Sequence, residues 1–156
     1  WKKVTESHPD WILDIFGDGE DRPIIEQCIK EAQLGNKVVL HGNTQEVTKA
    51  YTSGSIYLMT SRMEGSPLVL IEAMTCGLPI VAFNCPYGPQ EVIQHEKTGY
   101  LIPYDNDEAY IEALSGLMNN ANLRIQMGNV AKTAVSQYSC EAIMQKWMNL
   151  FQELLK

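Results

Sequence analysis

The sequence predicts an α/β fold in which helices cover both faces of a parallel sheet. Short apolar runs bounded by Gly, Asn or Pro alternate with amphipathic stretches, which is typical of such a sheet. The 156 residues, 45% of them hydrophobic, are enough for one domain with a sizeable core. We therefore expect one compact unit without internal repeats or linkers.

Five apolar runs predict the strands, and each ends beside Gly, Ser, Asn or Pro, residues that favour turns. The predicted strands cover residues 11–16, 37–42, 55–61, 79–83 and 99–103. Helical spacing of apolar residues predicts the intervening and following helices. These cover residues 20–35, where Gly35 is the stop signal, and residues 44–54, 66–76, 88–95, 107–119, 123–136 and 140–155.

Composition and charge exclude several classes of protein. A net charge of -7 without a basic block makes a nucleic-acid partner improbable. No apolar stretch approaches the length of a membrane span. The four cysteines contain no CxxC pair, which favours reduced thiols in the cytoplasm, and the three histidines are isolated, so we expect no metal.

Three loops follow predicted strands at their carboxyl ends, where ligands bind in open parallel sheets. The loops begin at Gly17, His41 and Ser61. Their candidate binding residues are Gly17, Gly19, Gly42, Asn43, Thr44 and Arg62. Arg62 is within reach of a phosphate, although an arginine in a loop is usually solvated.

The third loop leads into a helix whose start is suited to an anion. Ser66 is predicted to cap this helix and Pro67 to occupy its first position, and Gly77 closes it. The amides of Ser66, Leu68 and Val69 would then be free to bind phosphate, because proline has no N–H group.

Two carboxylates flank this helix start. Glu72 lies four residues beyond Leu68 and is turned about 40° from it, so a ribose lying along that face could meet its carboxylate. Glu64, before the helix, would face a group beyond the phosphates. This arrangement suits a sugar nucleotide. The alternatives are that Glu72 is solvent-exposed or paired with a lysine, and that Glu64 belongs to a surface loop.

Two further patterns have structural explanations. The stretch from Gly17 begins like a dinucleotide-binding GxGxxG motif, but Arg22 occupies the third glycine position, which favours a tight turn. Asp105 and Asp107 form a DxD pattern directly before a helix. Helix capping is the better interpretation of that pattern.

The run from Glu64 to Val81 resembles the EGxxxxxxEAMxxGxPxV signature of retaining glycosyltransferases of the large family four. The flanking stretches DIFGDGED, VVLHGNTQEV, GPQEVI and TGYLIP follow that family's order over nearly the whole chain. The resemblance implies a GT-B architecture, of which this Rossmann-like chain would be the C-terminal, donor-binding domain.

The resemblance also assigns roles to residues. It places Glu64 as the catalytic carboxylate against the donor sugar, Glu72 on the ribose, and the turn from Gly42 to Thr44 beside the base. The helix start that binds the diphosphate comprises Gly65, Ser66, Pro67, Leu68 and Val69. The stretch FNCPYGPQEVI looks most like bacterial enzymes that use UDP-galactose or UDP-N-acetylgalactosamine.

The resulting prediction is a retaining hexosyltransferase that uses a UDP-sugar, a hydroxyl acceptor and no metal or other cofactor, in the synthesis of bacterial surface polysaccharide or glycolipid. A nucleotide-sugar epimerase of the same architecture and a non-catalytic nucleotide-sugar-binding domain are the alternatives. We expect a cytoplasmic protein, with peripheral attachment of the full-length enzyme to the inner membrane left open.

The first residues depart from the family pattern, in which a strand, a glycine, an arginine and a lysine open the donor domain. This chain begins with WKKVTESHPDW, which resembles the tail of the first helix. Residues 1–156 are therefore interpreted as a donor domain that lacks its first strand and the acceptor-binding N-terminal domain. An exposed sheet edge should favour self-association, and the fragment alone should be inactive.

Overall fold

The computed structural model describes residues 1–155 and contains five parallel strands and eight α-helices within that range. The strands are β1 (Leu13–Phe16), β2 (Val38–Gly42), β3 (Tyr57–Met59), β4 (Ile80–Asn84) and β5 (Gly99–Pro103). The helices are α1 (Lys2–Ser7), α2 (Arg22–Glu31), α3 (Val47–Ser53), α4 (Leu68–Thr75), α5 (Pro89–Val92), α6 (Asp107–Asn119), α7 (Ala121–Ala134) and α8 (Cys140–Leu154), with a short 3₁₀ helix at Val135–Tyr138. The predicted α/β class is confirmed.

Helix α2 ends earlier than the sequence predicted. Its last residue is Glu31, and the left-handed turn that ends it falls on Gln33, with φ of 58°, rather than on Gly35. The amide of Leu34 donates to the carbonyl of Ile29, which satisfies the last turn. A glycine is the usual stop residue, but the hydrogen bonds to the helix end determine where the chain turns.

The strands form two hydrogen-bonded sheets. One contains β1 and β2, and the other contains β3, β4 and β5 in that order, with every pair parallel. No ladder joins β1 to β3 within residues 1–155. The edge of β1 that does not pair with β2 and the edge of β3 that does not pair with β4 face the same cleft. Residues of both strands line this cleft.

The three-stranded sheet lies between two apolar cores. Ile80 and Ala82 of β4 face the first core, where Leu70 and Met74 of α4 are fully buried. Val81 faces the second core, in which side chains of α6 and α1 cover the opposite face of the sheet. The β1–β2 pair contains far fewer buried residues, and neither α2 nor α3 contains any.

Helix α8 packs loosely and leaves apolar side chains on the surface. Its exposed apolar residues include Met144, Trp147, Met148 and Phe151. No helix within residues 1–155 combines the length and apolar character that crossing a bilayer requires.

Candidate functional site

The start of α4 lies one residue later than the sequence predicted. Pro67 is the N-cap residue and Leu68 is the first helical residue, so the assignment of Ser66 as a side-chain cap is wrong. The amide of Leu68 donates to the carbonyl of Ser66 over 2.9 Å. This tight turn replaces the expected cap and uses the Leu68 amide, while the amides of Ser66 and Val69 have no acceptor within residues 1–155.

The end of α4 follows the prediction. Gly77 adopts a φ of 77°, its amide donates to Met74, and the amide of Leu78 donates to Ala73. This pair of hydrogen bonds is the Schellman arrangement that a glycine after the C-cap favours. It fixes where α4 ends and therefore which of its faces is buried.

Glu72 lies on the exposed face of α4. Leu70, Ala73 and Met74 point into the core, which leaves Glu72 exposed to solvent, as one of the alternatives for this residue had it. Its partner is a tyrosine and not a lysine, because the hydroxyl of Tyr51 on α3 donates to Glu72 Oε2 over 2.8 Å.

A cleft of about 650 Å³ separates β1 from β3 and brings several predicted site residues together. The predicted residues among those that line it are Gly17, Asn43, Thr44, Val69 and Glu72. They come from the ends of β1 and β2 and from the first two turns of α4. The structure therefore brings these five residues together around one cleft, whereas the loop from Ser61 to Pro67, with Arg62 and Glu64, does not line it.

The loops after β1 and β2 are joined by a hydrogen bond from the amide of Gly17 to the carbonyl of Gly42, 2.8 Å long. Both residues have positive φ, 129° and 73°, which L side chains rarely adopt. Gly19 lies apart from the larger cleft, in a hollow of about 330 Å³ between α2 and the β1–β2 pair. Gly17 lines both this hollow and the larger cleft, whereas Gly19 lines the hollow alone.

Glu64 lies in the loop before α4 and is half-buried. A methyl group placed on Gly88 would lie 3.6 Å from Glu64 Cβ and would overlap the ring of Pro67. Gly65 and Arg62 of the same loop are exposed, and a side chain at position 65 would meet no atom within 4 Å. The close approach of Gly88 thus shapes the loop that carries Glu64.

Tyr57 of β3 lies within electrostatic reach of both carboxylates. Burial raises the pKa of Tyr57 to about 12, and the charges of Glu64 and Glu72 add to the shift. Burial also raises the pKa of Tyr51 above its ordinary range, and the hydrogen bond to Glu72 is the second cause of this increase. Both hydroxyls are therefore protonated at neutral pH and can act as donors.

Sequence reasoning missed Tyr51, Tyr57 and Gly88. Tyr51 and Glu72 are 21 positions apart and lie on different helices, so no local pattern links them. The sequence did contain a signal for Gly88, because this glycine directly precedes Pro89, the first residue of α5. In the structure Gly88 adopts a φ of 88°. Proline is common at the first position of a helix, and glycine adopts a positive φ without steric cost.

Within residues 1–155, no three His, Cys, Asp or Glu side chains converge on a position that could hold a metal ion. The DxD pattern lies at the start of α6, where Asn106 between the two aspartates accepts from the amide of Ala109 over 3.1 Å. Asp107 lies in the first turn of that helix, where its negative charge interacts favourably with the helix dipole. The pattern therefore lies at a helix cap as expected, but the capping side chain is that of Asn106 and not that of either aspartate.

The chain matches the family described as Glycosyl transferases group 1 over residues 1–134. The chain belongs to this family. An uncharacterized glycosyltransferase of Haemophilus influenzae is 36% identical over 150 residues, which cover 96% of this chain and 42% of that protein. A poly(ribitol-phosphate) α-N-acetylglucosaminyltransferase of Staphylococcus aureus is also 36% identical, over 88% of this chain and 28% of its own length.

Solved glycosyltransferase structures share the fold. The structure of TarM superimposes with a TM-score of 0.90 at 33% identity and covers 96% of this chain and 30% of its own. The pneumococcal O-GlcNAc transferase GtfA, in complex with UDP and GlcNAc, gives a TM-score of 0.84 at 27% identity over 99% of this chain and 31% of its own. The family and fold that the sequence resemblance implied are confirmed.

The chain spans less than half the length of each of these relatives. Two of these relatives are named for the transfer of N-acetylglucosamine, whereas the sequence pattern favours galactose or N-acetylgalactosamine.

Proposed function

We propose that this domain binds a UDP-sugar and serves a retaining glycosyltransferase that moves a hexose or N-acetylhexosamine to a hydroxyl acceptor. The observation that carries the proposal is the position of Glu72. Its carboxylate opens onto the cleft lined by Asn43 and Thr44, about one helical turn below the open start of α4. A ribose there would lie between a base at the end of β2 and a diphosphate at the helix start.

The diphosphate would meet the unpartnered amides of Ser66 and Val69. The dipole of α4 adds about 0.3 to 1 kcal/mol at such an exposed helix start. With a net charge of -7 and one exposed arginine, Arg62, in the loop, we expect weak binding of UDP to residues 1–156, around the millimolar range. No metal is needed in this proposal.

Glu64 would contact hydroxyl groups of the donor sugar from the loop before α4. During transfer, the bond from the anomeric carbon to UDP breaks and a bond to the acceptor oxygen forms on the same face. UDP leaves with the electron pair, and its departing diphosphate oxygen takes up the proton that the acceptor hydroxyl loses. The domain's groups would act by orienting the donor and stabilising the departing diphosphate.

The identity of the sugar is the finer part of the proposal. The stretch from Phe83 to Ile93 favours galactose or N-acetylgalactosamine, whereas the name of the Staphylococcus aureus relative, at 36% identity, favours N-acetylglucosamine. We therefore propose UDP-N-acetylglucosamine as the first donor to test, with the galactose-type donors as the second choice.

The acceptor and the remaining sheet would come from outside residues 1–156. We propose that one further strand of the same protein lies between β1 and β3 and leaves the end of the cleft beside Asn43, Thr44 and Glu72 open for the nucleotide. Another domain would contact the acceptor in the cytoplasm or at the inner face of the membrane. The Haemophilus influenzae relative is more than twice as long as the part that this chain matches, which is compatible with further elements of this kind. Residues 1–156 alone should then bind UDP but transfer no sugar.

The deciding experiment incubates the product of the full open reading frame with a panel of labelled UDP-sugars, with and without polyol-phosphate and glycan acceptors. Formation of a labelled glycoside that depends on both donor and acceptor supports the proposal. Conversion of the donor sugar without an acceptor would indicate an epimerase. Binding without any change of the donor would indicate a non-catalytic nucleotide-sugar-binding domain.

A further inference from the structure

The hydrogen bond between Tyr51 and Glu72 joins two helices across the cleft. Tyr51 reaches from α3, and its ring packs against the core beside Tyr57, with the two ring centroids 5.7 Å apart. The aromatic ring is therefore held by packing, while its hydroxyl reaches the carboxylate over 2.8 Å. A rigid donor of this kind fixes a flexible glutamate at low cost in entropy.

The contact leaves half of the carboxylate free. A carboxylate has two oxygens and about four acceptor positions. Tyr51 uses one position on Oε2, and within residues 1–155 neither oxygen of Glu72 has another side-chain partner. Oε1 is thus available for a ligand, and its direction is set by the bond on Oε2.

We infer that Tyr51 is a positioning residue that holds Glu72 for the two adjacent hydroxyls of a ribose and thereby increases selection against deoxyribose. This inference rests on the proposed function, because it needs a nucleotide in the cleft. Without the phenol hydroxyl, the glutamate side chain rotates freely and must be ordered by the ligand itself. The loss of affinity should therefore be largest for ligands that have hydroxyl groups in contact with the Glu72 carboxylate.

The experiment compares UDP with 2′-deoxyuridine diphosphate by ligand-observed NMR titration, which measures millimolar affinities. For the unmodified protein we expect UDP to bind about tenfold more tightly, the equivalent of one good hydrogen bond to a charged group. Tyr51→Phe should reduce that ratio to about threefold by weakening UDP. Glu72→Gln should bring the ratio close to one.

Tyr138→Phe is the matched control. The hydroxyl of Tyr138 donates to the carbonyl of Glu91 over 2.8 Å, the same length as the bond of Tyr51, and Tyr138 does not line the cleft. This variant removes an equivalent phenol hydrogen bond and should lower the melting temperature without changing the UDP preference. A purely structural role of Tyr51 would make the two tyrosine variants behave alike.

The outcomes separate the inference from the proposed function. If Glu72→Gln removes the preference and Tyr51→Phe leaves it at the unmodified value, the positioning role is wrong and the proposed function stands. If the unmodified protein has no preference, or Glu72→Gln retains it, the ribose contact itself is wrong and both fall. A selective loss in Tyr51→Phe supports the inference.

Discussion

Gly128 of α7 packs directly on the carbonyl group of Gly77, the residue that ends α4. A methyl group on Gly128 would overlap the carbonyl oxygen of Gly77 and would lie 3.0 Å from its carbonyl carbon. The backbone of Gly77 cannot move away freely, because its amide and the next one complete the end of α4. The contact between these two glycines therefore sets how closely α7 supports the helix that carries Glu72.

Replacing Gly128 with alanine should destabilise the fold by about 1 to 3 kcal/mol, because the added methyl group overpacks this contact. Gly116→Ala is the control, since a side chain there would meet no atom within 4 Å on the exposed side of α6. That change should stabilise the protein by roughly 0.5 to 1 kcal/mol through helix propensity. Urea unfolding measures both, and equal effects of the two variants would contradict this packing.

Alkaline pH should destabilise the protein through its tyrosines. Burial raises the pKa of Tyr57 to about 12 and that of Tyr110 above its ordinary value. Above pH 10 the unfolded chain loses these protons first, so the folded state binds more protons and stability falls as pH rises. The contribution is complete below pH 10 and is lost for Tyr57 by pH 12.

The test is urea unfolding at pH 9, 10 and 11 for the unmodified protein and for Tyr57→Phe. Each tyrosine that stays protonated only in the folded state contributes a slope of about 1.4 kcal/mol per pH unit. The variant should therefore lose stability less steeply above pH 10. Identical slopes would show that Tyr57 titrates normally in the folded protein.

The sequence predicted most elements because their boundary signals are local. The prediction for α6, residues 107–119, agrees with the observed Asp107–Asn119 at both ends. There a polar cap, acidic residues in the first turn and regularly spaced apolar side chains all agree. Gly35 failed as a stop signal because the hydrogen bonds that end α2 place the left-handed turn on Gln33.

The site was only partly predictable. Glu72, Asn43 and Thr44 could be placed in one cleft because the carboxyl ends of parallel strands meet at one edge of a sheet. The partner of Glu72 could not, because Tyr51 reaches it through tertiary packing of α3 on α4. Ser66 was misassigned because a tight turn between Ser66 and Leu68 competes with side-chain capping.

Removing divalent metals should leave nucleotide binding unchanged. The proposed phosphate contacts are amides at the start of α4, and the two aspartates of the DxD pattern lie at the start of α6. UDP titrations in EDTA and in manganese should therefore give the same affinity within about twofold, well below the tenfold that 1.4 kcal/mol represents. Binding that requires manganese would overturn the metal-free proposal.

Glu64→Gln should weaken binding of a UDP-sugar while leaving UDP almost unaffected, because the proposal places this carboxylate on the sugar. We expect a loss of about 1 to 3 kcal/mol for the sugar nucleotide, the range for hydrogen bonds to a charged group. Parallel titrations with UDP and UDP-N-acetylglucosamine measure the difference. An equal loss for both ligands would place Glu64 on the nucleotide instead.

The unpaired edges of β1 and β3 lead to a prediction about hydrogen exchange. Leu13 and Tyr57 donate their amides to the partner strands β2 and β4, so the amides of Asp14, Phe16 and Leu58 point to the cleft. These three amides should exchange rapidly in residues 1–156.

In the product of the full open reading frame the same three amides should exchange at least tenfold more slowly, because the proposed additional strand would accept their hydrogen bonds. A tenfold slower exchange corresponds to about 1.4 kcal/mol of local stability. The amide of Ala82, a fully buried residue of the central strand β4, is the control and should be protected in both proteins. Protection at Asp14 and Leu58 that rises with the concentration of residues 1–156 would assign the cleft to a second copy of the chain. Rapid exchange in both proteins would show that no strand occupies it.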